Sequence, residues 1–350
     1  MDSVRPLVSI IMPVYNAEIY VEKAITSILF QSYKNIELLA IDDCSTDGSL
    51  GVLESFSDSR IKIFNNSMNM GYLKSVNSLF SRCSGDFITF QDADDWSKPD
   101  RIEKQIAAFL EDADLKACGT QCDIVLDGRI LKKSAYELEW RDLLDGANRG
   151  VTALFCGASV MVSRDVVENV GGFDVFFDRI GAEDIDWLLR ILSHNKAINL
   201  PDSLYCYRQT RGSVSRGISL LPLKYCSSDI ALAFFFIRAF SESEVISREI
   251  RCHIRRNLLE DYERDPALIY KRAVIEQVLH RNYCDAVYCI KKAIKIGGFR
   301  WRILLLLLSL PPIMVANNIA GDDIKRKLVA RRRLRRVGRM VSQLNLVRHA

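Results

Sequence analysis

An α/β fold with a mostly parallel central sheet, followed by a helical C-terminal region, is predicted by three observations. Four short apolar runs rich in β-formers, Val8–Met12, Ile36–Ile41, Ile61–Phe64 and Phe87–Phe90, open the chain. The segments between the first two and between the last two carry apolar residues at helical spacing. Strand, helix and strand in steps of about thirty residues imply right-handed βαβ units. Near Gly217 the alternation stops, and the remainder reads as helical.

Taken in order, Ile19, Val21, Ala24, Ile25 and Ile28 fit one face of a first helix. Leu73, Val76, Asn77 and Phe80 do so less cleanly in the helix before the fourth strand. Pro99 is expected to open a helix running to Leu110, where its missing N–H is harmless. Ala117–Leu126 and Ala158–Val162 read as further strands. Glu183–His194 reads as an amphipathic helix with Ile185, Leu188, Leu189 and Leu192 on its apolar side. Strand-like Leu204–Tyr207 leads into RQTRGSVSR, a polar stretch of turn formers.

A chain of 350 residues that is 49% hydrophobic can bury a large core and hold one large domain with added material, or two. Its formal net charge of +4 hides an asymmetry. Residues 300–350 hold 12 Arg and Lys against 2 Asp, so everything before them is net acidic. The 10 cysteines are scattered without a Cys-x-x-Cys pair, and 4 histidines are few partners for a metal site; buried reduced thiols are expected. No cationic region precedes the first apolar stretch, so a cytoplasmic location is expected.

In open parallel sheets ligands sit beyond the carboxyl ends of the strands. The first strand end delivers Pro13, Tyr15 and Asn16, and the second Asp42 and Asp43. The third leads toward Asn69 and Gly71, and the fourth delivers Asp92, Ala93, Asp94 and Asp95. A tyrosine ring can lie against a nucleobase and a carboxylate such as Asp43 can accept a base N–H; packing and turn-capping account for the same residues in isolation. Three carboxylates within four residues repel one another unless a cation or donors offset them. Mg²⁺ and Mn²⁺ take one or two carboxylates plus substrate phosphate oxygens.

VSIIMPVYNAEIYVEKAITSILFQSYKNIELLAIDDCSTDGS, NMGYLKSVNSLF, GDFITFQDADDWSKPDRI and GGFD…GAEDIDWLLRIL occur in that order. Together they resemble the glycosyltransferase family 2 catalytic domain, a nucleotide-binding fold of the GT-A type, over about residues 6–217. The resemblance implies that Pro13, Tyr15 and Asp43 bind the nucleoside, with Lys74 nearby. Asp92 and Asp94 match the family's Asp-x-Asp motif, with Asp94 as a ligand of Mn²⁺ or Mg²⁺ and Asp92 near the ribose or the metal. Glu183-Asp184 matches the Glu-Asp motif, in which the aspartate is the general base of inverting members. A helix N-terminus also favours such acids.

In many members a histidine that can complete the metal shell stands where this chain has Thr210. Arg208 or Arg211 could instead neutralise the diphosphate. The Gln-x-x-Arg-Trp signature of processive synthases is missing, which implies transfer of one or a few sugars. The expected organisation is a catalytic domain at 1–217, a helical extension at 218–296 and an apolar, basic tail at 297–350.

In that tail Ile303–Leu310 rises only about 12 Å as a helix, against a hydrocarbon core of roughly 30 Å, so an ordinary spanning segment is not expected and a helix lying in or dipping into the membrane surface is. Trp301, Arg300 and Arg302 suit the interface, and nine cations between Lys325 and Arg339 suit anionic lipid better than nucleic acid, which is not an expected partner. A solvated helix face beside a core helix is the bland alternative. The expected activity is metal-dependent, inverting transfer from a nucleotide sugar, with UDP as the nucleotide, to a glycan or lipid-linked glycan of surface polysaccharide. Transfer to a polyprenyl phosphate and a non-catalytic nucleotide-sugar-binding scaffold are the competing expectations.

Overall fold

In the computed structural model the described residues are 5–209, 221–241, 243 and 245–265, with 268–270, 273, 288–289, 292, 330–331, 333–338 and 341–342 beyond them. Two compact units emerge. The first comprises residues 1–148, 153–179 and 183–210, and the second gathers 149–152, 180–182 and 211–350. Thr210, Arg211, Trp301 and residues 303–316, on which several expectations rest, lie outside the described set.

The first unit alternates strand and helix at its start: β1 (Val8–Val14), α1 (Val21–Leu29), β2 (Ile36–Asp42), α2 (Ser49–Glu54), β3 (Ile61–Asn65), α3 (Tyr72–Phe80) and β4 (Phe87–Phe90). It continues with β5 (Trp96–Ser97), α4 (Arg101–Glu111), β6 (Leu115–Leu126), β7 (Arg129–Lys133) and α5 (Trp140–Asn148). β8 (Met161–Ser163), α6 (Arg164–Val170), α7 (Glu183–His194) and β9 (Lys196–Gln209) complete it. The strands form one sheet in the order β3-β2-β1-β4-β8-β6-β9-β5, with β7 paired to β6. β3, β2, β1 and β4 are mutually parallel, β8 is antiparallel to both neighbours, and β6 and β9 are parallel.

Register explains why the site lies at one edge. Val14 pairs with Asp42 and Ile11 with Phe90, so the chain leaves β1, β2 and β4 on the same side of the sheet. Side chains alternate across the pleat. Val8, Ile10, Met12 and Val14 meet Val21, Ala24, Ile25 and Ile28 of α1 and Ile102, Ile106 and Phe109 of α4 in one core. Elsewhere Phe80, Phe90, Phe173 and Trp187 pack ring to ring at 5.4–6.0 Å, tying α3, β4 and α7 together.

Some local expectations are corrected. Ile19 precedes α1 and is 79% exposed; the helix starts at Val21 because Ala17 is already buried and its carbonyl accepts from Tyr20 and Val21. Pro99 lies two residues ahead of α4, whose N-cap is Asp100, and its carbonyl accepts from Ser32. The strand expected at 158–162 begins at Met161 because Gly157–Ser159 forms a 3₁₀ turn. Leu204–Tyr207 is the middle of the longer β9.

The second unit is helical where described. α8 (Ser227–Ser241) is buried on most of its circumference, as a helix apolar all round must be, and α9 (Arg248–Arg264) follows. Asp229 of α8 accepts from Arg333 Nε at 3.0 Å and from Arg336 Nη1. Arg333 also donates to Thr152 Oγ1 at 2.7 Å, and Ala330, Val337 and Val341 are buried. Part of the basic run is thus folded in by an internal acid, which removes Arg333 and Arg336 from the set of free cations. Among the described residues no helix is long and apolar enough to cross a membrane.

Candidate active site

The loops after β1 and β2 are stitched together. Asn16, at φ 49°, accepts from the Thr46 amide at 2.8 Å and donates its own amide to Ser45 Oγ at 3.0 Å. Pro13 is buried within β1, whereas the Tyr15 ring is 50% exposed above it. Asp43 is buried and heavily engaged. Its Oδ1 accepts from the Met70 amide at 2.8 Å and Asn66 Nδ2 at 2.7 Å, and its Oδ2 from the Gly71 amide at 2.8 Å. A carboxylate has about four acceptor positions, so roughly one remains on Oδ2. Asp43 therefore shapes the 66–71 loop besides offering that position to a ligand.

Gly71, at φ 88°, turns the chain into α3 and places Tyr72 at the edge of the acidic cluster. The Tyr72 hydroxyl reaches Asp92 Oδ1 at 3.4 Å and its ring stacks on Phe173. Lys74 is turned toward Asp178, with an ion pair of 2.6 Å. Arg179 holds the other side of this loop by donating to Asn69 O and Oδ1, each at 3.0 Å.

Beyond β4 the acidic run is fixed by partners from β9. The Asp92 amide donates to the Tyr205 hydroxyl at 3.1 Å. The Arg208 amide donates to Asp95 Oδ1 and its Nε to the Asp94 carbonyl, both at 2.6 Å. Its guanidinium lies 4.9 Å from the Tyr20 ring centre and 4.8 Å from that of Trp96. Such stacking suits a planar guanidinium and locks its direction. Asp95 Oδ2 is buried without a hydrogen-bond partner.

The electrostatics show which carboxylates converge. Burial, then the charges of Asp94 and Asp184, push Asp92 up to about 7, against an opposing hydrogen bond from Tyr72. Burial and then Asp184 and Asp92 push Glu183 up to about 7. Burial raises Asp184 and Asp94 as well, the latter opposed by Arg208. Groups two motifs apart in sequence thus face one half-buried cleft, in which each disfavours the other's charge. Asp184 Oδ1 accepts from the Ile185 amide at 2.8 Å, and Oδ2 rests against Gly157, where a Cβ would lie only 2.7 Å away.

No set of three or more His, Cys, Asp or Glu side chains among the described residues is arranged to hold a metal. The chemistry present is narrower: Asp94 and Asp92 form an all-oxygen donor pair, and neither is in an ion pair among the described residues. That pair fits a hard divalent ion whose shell is finished by substrate phosphates better than an all-protein cage. Tyr72, Tyr205, Asn66 and Gly157 were not singled out by the sequence reading. Only Tyr72 carried a signal, as the aromatic inside GYLK beside a strand end.

Comparison with known proteins agrees with this architecture. The family model for glycosyl transferase family 2 matches residues 9–171. The putative glycosyltransferase EpsE of Bacillus subtilis is 31% identical over 264 residues, 69% of this chain and 92% of EpsE. The Escherichia coli UDP-Glc:alpha-D-GlcNAc-diphosphoundecaprenol beta-1,3-glucosyltransferase WfgD is 32% identical over 213 residues, 60% of this chain and 79% of WfgD. Among solved structures, Staphylococcus aureus TarS 1–349 in complex with UDP-GlcNAc superposes with a TM-score of 0.54 at 18% identity, covering 94% of this chain and 91% of TarS 1–349. That likeness establishes a shared GT-A fold. The chain belongs to glycosyltransferase family 2 and is a glycosyltransferase.

Proposed function

We propose that this glycosyltransferase is inverting and metal-dependent, and moves a sugar from a UDP-sugar to a hydroxyl of a lipid-linked glycan during surface polysaccharide assembly. The observation that carries the reading is the convergence of Asp92, Asp94 and Asp184, all half-buried, on one cleft in which the charges of Asp94 and Asp184 both act on Asp92. The named activity of WfgD, from UDP-Glc to a diphosphoundecaprenol-linked sugar, supports the donor and acceptor classes. Tyr15 and the free acceptor position of Asp43 hold the base. Arg208, pinned beside Asp94, is the cation that meets the diphosphate.

Asp184 takes the acceptor proton as the acceptor oxygen attacks the anomeric carbon from the side opposite the diphosphate. Its raised pKa strengthens it as a base once ionised. The C–O bond to the diphosphate breaks with its electrons on phosphate oxygen, so no acid is needed. Asp94 and Asp92 would hold Mn²⁺ or Mg²⁺, which when bound supplies positive charge to the departing diphosphate. Arg331 and Arg335, both exposed, are two described cations of the basic run that meet an anionic membrane at the cytoplasmic face in this reading.

A thermal-shift panel of nucleotide sugars with and without Mn²⁺ tests the donor and metal together, since binding to the native state raises apparent stability. Stabilisation by a UDP-sugar only when Mn²⁺ is present is expected. Equal stabilisation without any divalent ion would remove the metal from the reading.

A further inference from the structure

We propose that Cys122 and Cys156 form an oxidisable thiol pair, a modification site for small hydroperoxides whose disulfide deforms the wall of the acidic cleft. Cys122 lies on β6 directly opposite Tyr205 in the β6–β9 register, and Cys156 is the residue before the 3₁₀ turn. The two cysteines and Tyr205 form one buried cluster, against which Tyr136 and Ala158 pack. Within that cluster each thiol shifts the acidity of the other, and Tyr136 also lowers that of Cys122. Ser134, Ala135 and Tyr136, which run beside Cys122, are half-buried to exposed, so the pair lies one layer beneath the surface.

Five other described thiols differ. Burial pushes Cys83 and Cys118 up to about 12 and Cys206 to about 11, and the exposed Cys44 and Cys252 lie on separate elements. The neighbouring Cys156 thiol draws Cys122 down to about 7 instead. Thiolate character and a second sulfur in contact are what a peroxide-reactive cysteine and its resolving partner require. In the first step the Cys122 thiolate attacks one oxygen of hydrogen peroxide, the O–O bond breaks, and the other oxygen leaves as hydroxide, which takes up the proton the thiol released on ionising, giving water and the Cys122 sulfenic acid. In the second, the Cys156 sulfur attacks the Cys122 sulfur and the S–O bond breaks. The displaced hydroxide takes the Cys156 proton as a second water. The peroxide is reduced and the two thiols are oxidised.

The location gives the step a consequence. A disulfide draws the sulfurs to about 2.05 Å, well inside their present non-bonded contact. Cys156 is joined to Gly157, whose backbone abuts Asp184 Oδ2. Tyr205, the shared neighbour, holds the Asp92 amide. The bond therefore pulls on the seats of two cleft carboxylates at once. The link to turnover rests on the roles given above to Asp92 and Asp184; the sulfur chemistry does not.

The full chain is treated with hydrogen peroxide, alkylated and mapped by peptide mass spectrometry, alongside Cys122→Ser and Cys156→Ser. A cross-linked peptide containing Cys122 and Cys156, reversed by dithiothreitol and missing from both variants, is expected. Sugar transfer should fall about 10- to 100-fold on oxidation, the scale of an ångström-sized misplacement, and recover on reduction. Oxidation of Cys44 and Cys252 with Cys122 and Cys156 still reduced overturns the proposal. A cross-link that leaves transfer unchanged overturns its coupling to the cleft. Because mapping of the unsubstituted chain needs neither substrate nor variant, a failure of the functional reading or of a variant's folding is told apart from a failure of the pair.

Discussion

Asp184 Oδ2 occupies the space that a side chain at Gly157 would need. Replacing Asp184 by Asn keeps the shape but removes the proton acceptor, and general-base catalysis is worth about 10²–10⁴-fold. Turnover should fall by that factor while the donor dissociation constant, measured calorimetrically, stays within about threefold of the parent. Gly157→Ala probes the same contact from the backbone. Its Cβ would lie 2.7 Å from Asp184 Oδ2, so the carboxylate must move. Expected is a drop in kcat of about 10²-fold with the native circular dichroism spectrum retained; unchanged kcat would mean that Asp184 has room to relax. Sequence spacing placed Asp43, Asp92, Asp94 and Asp184 at strand and helix ends, where periodicity is strong. It could not reveal that Asp43 spends most of its acceptor capacity on Asn66, Met70 and Gly71, because those bonds depend on loop shape.

α7 carries Asp184 into the cleft, and its own anchoring is an internal ion pair. Asp186 and Arg190, one helical turn apart, are joined at 2.9 Å with both side chains buried. Arg190 also donates to the carbonyls of Val170 and Gly172, at 2.6 and 2.7 Å. Removing the acid leaves a buried guanidinium without its counter-charge, which typically costs about 3–5 kcal/mol. Asp186→Ala should therefore lower the urea midpoint strongly, whereas Asp186→Asn, which keeps an acceptor, should lower it less. At this scale the long periodic elements β1, α1, β2, α4 and α7 were legible to within a few residues. β5 was not, since two residues carry no period, nor was β7, whose five residues are all exposed. Ile19 misled because an apolar residue at the right spacing lies just before the helix it appears to join.

Across the whole chain, charge sets two behaviours. The basic run was legible as composition, but its division between internal and surface cations was not, because Asp229 lies about a hundred positions away in sequence. Arg331→Glu with Arg335→Glu reverses two exposed charges without touching the Asp229 pairs. With about 1 kcal/mol per cation near an anionic surface, sedimentation with phosphatidylserine vesicles should weaken on the order of tenfold or more. The acidic cleft governs the second behaviour. Asp92 and Glu183 have folded pKa values near 7, raised above their ordinary carboxylate range chiefly by burial. Between about pH 4 and pH 7 the folded state holds more protons than the unfolded state, so stability falls as pH rises through that window. Below it both states are protonated and the stabilisation is complete; above it the stabilisation is lost. Melting without ligands should therefore shift down by several degrees from pH 5.5 to pH 8, beyond any trend in Asp92→Asn/Glu183→Gln. If the cleft takes a divalent ion, Mn²⁺ with a UDP-sugar should recover most of that loss at pH 8 and little at pH 5.5, because only ionised carboxylates need the counter-charge. A melting temperature equally insensitive to pH in the parent and the double variant would mean that the carboxylates do not share the cleft.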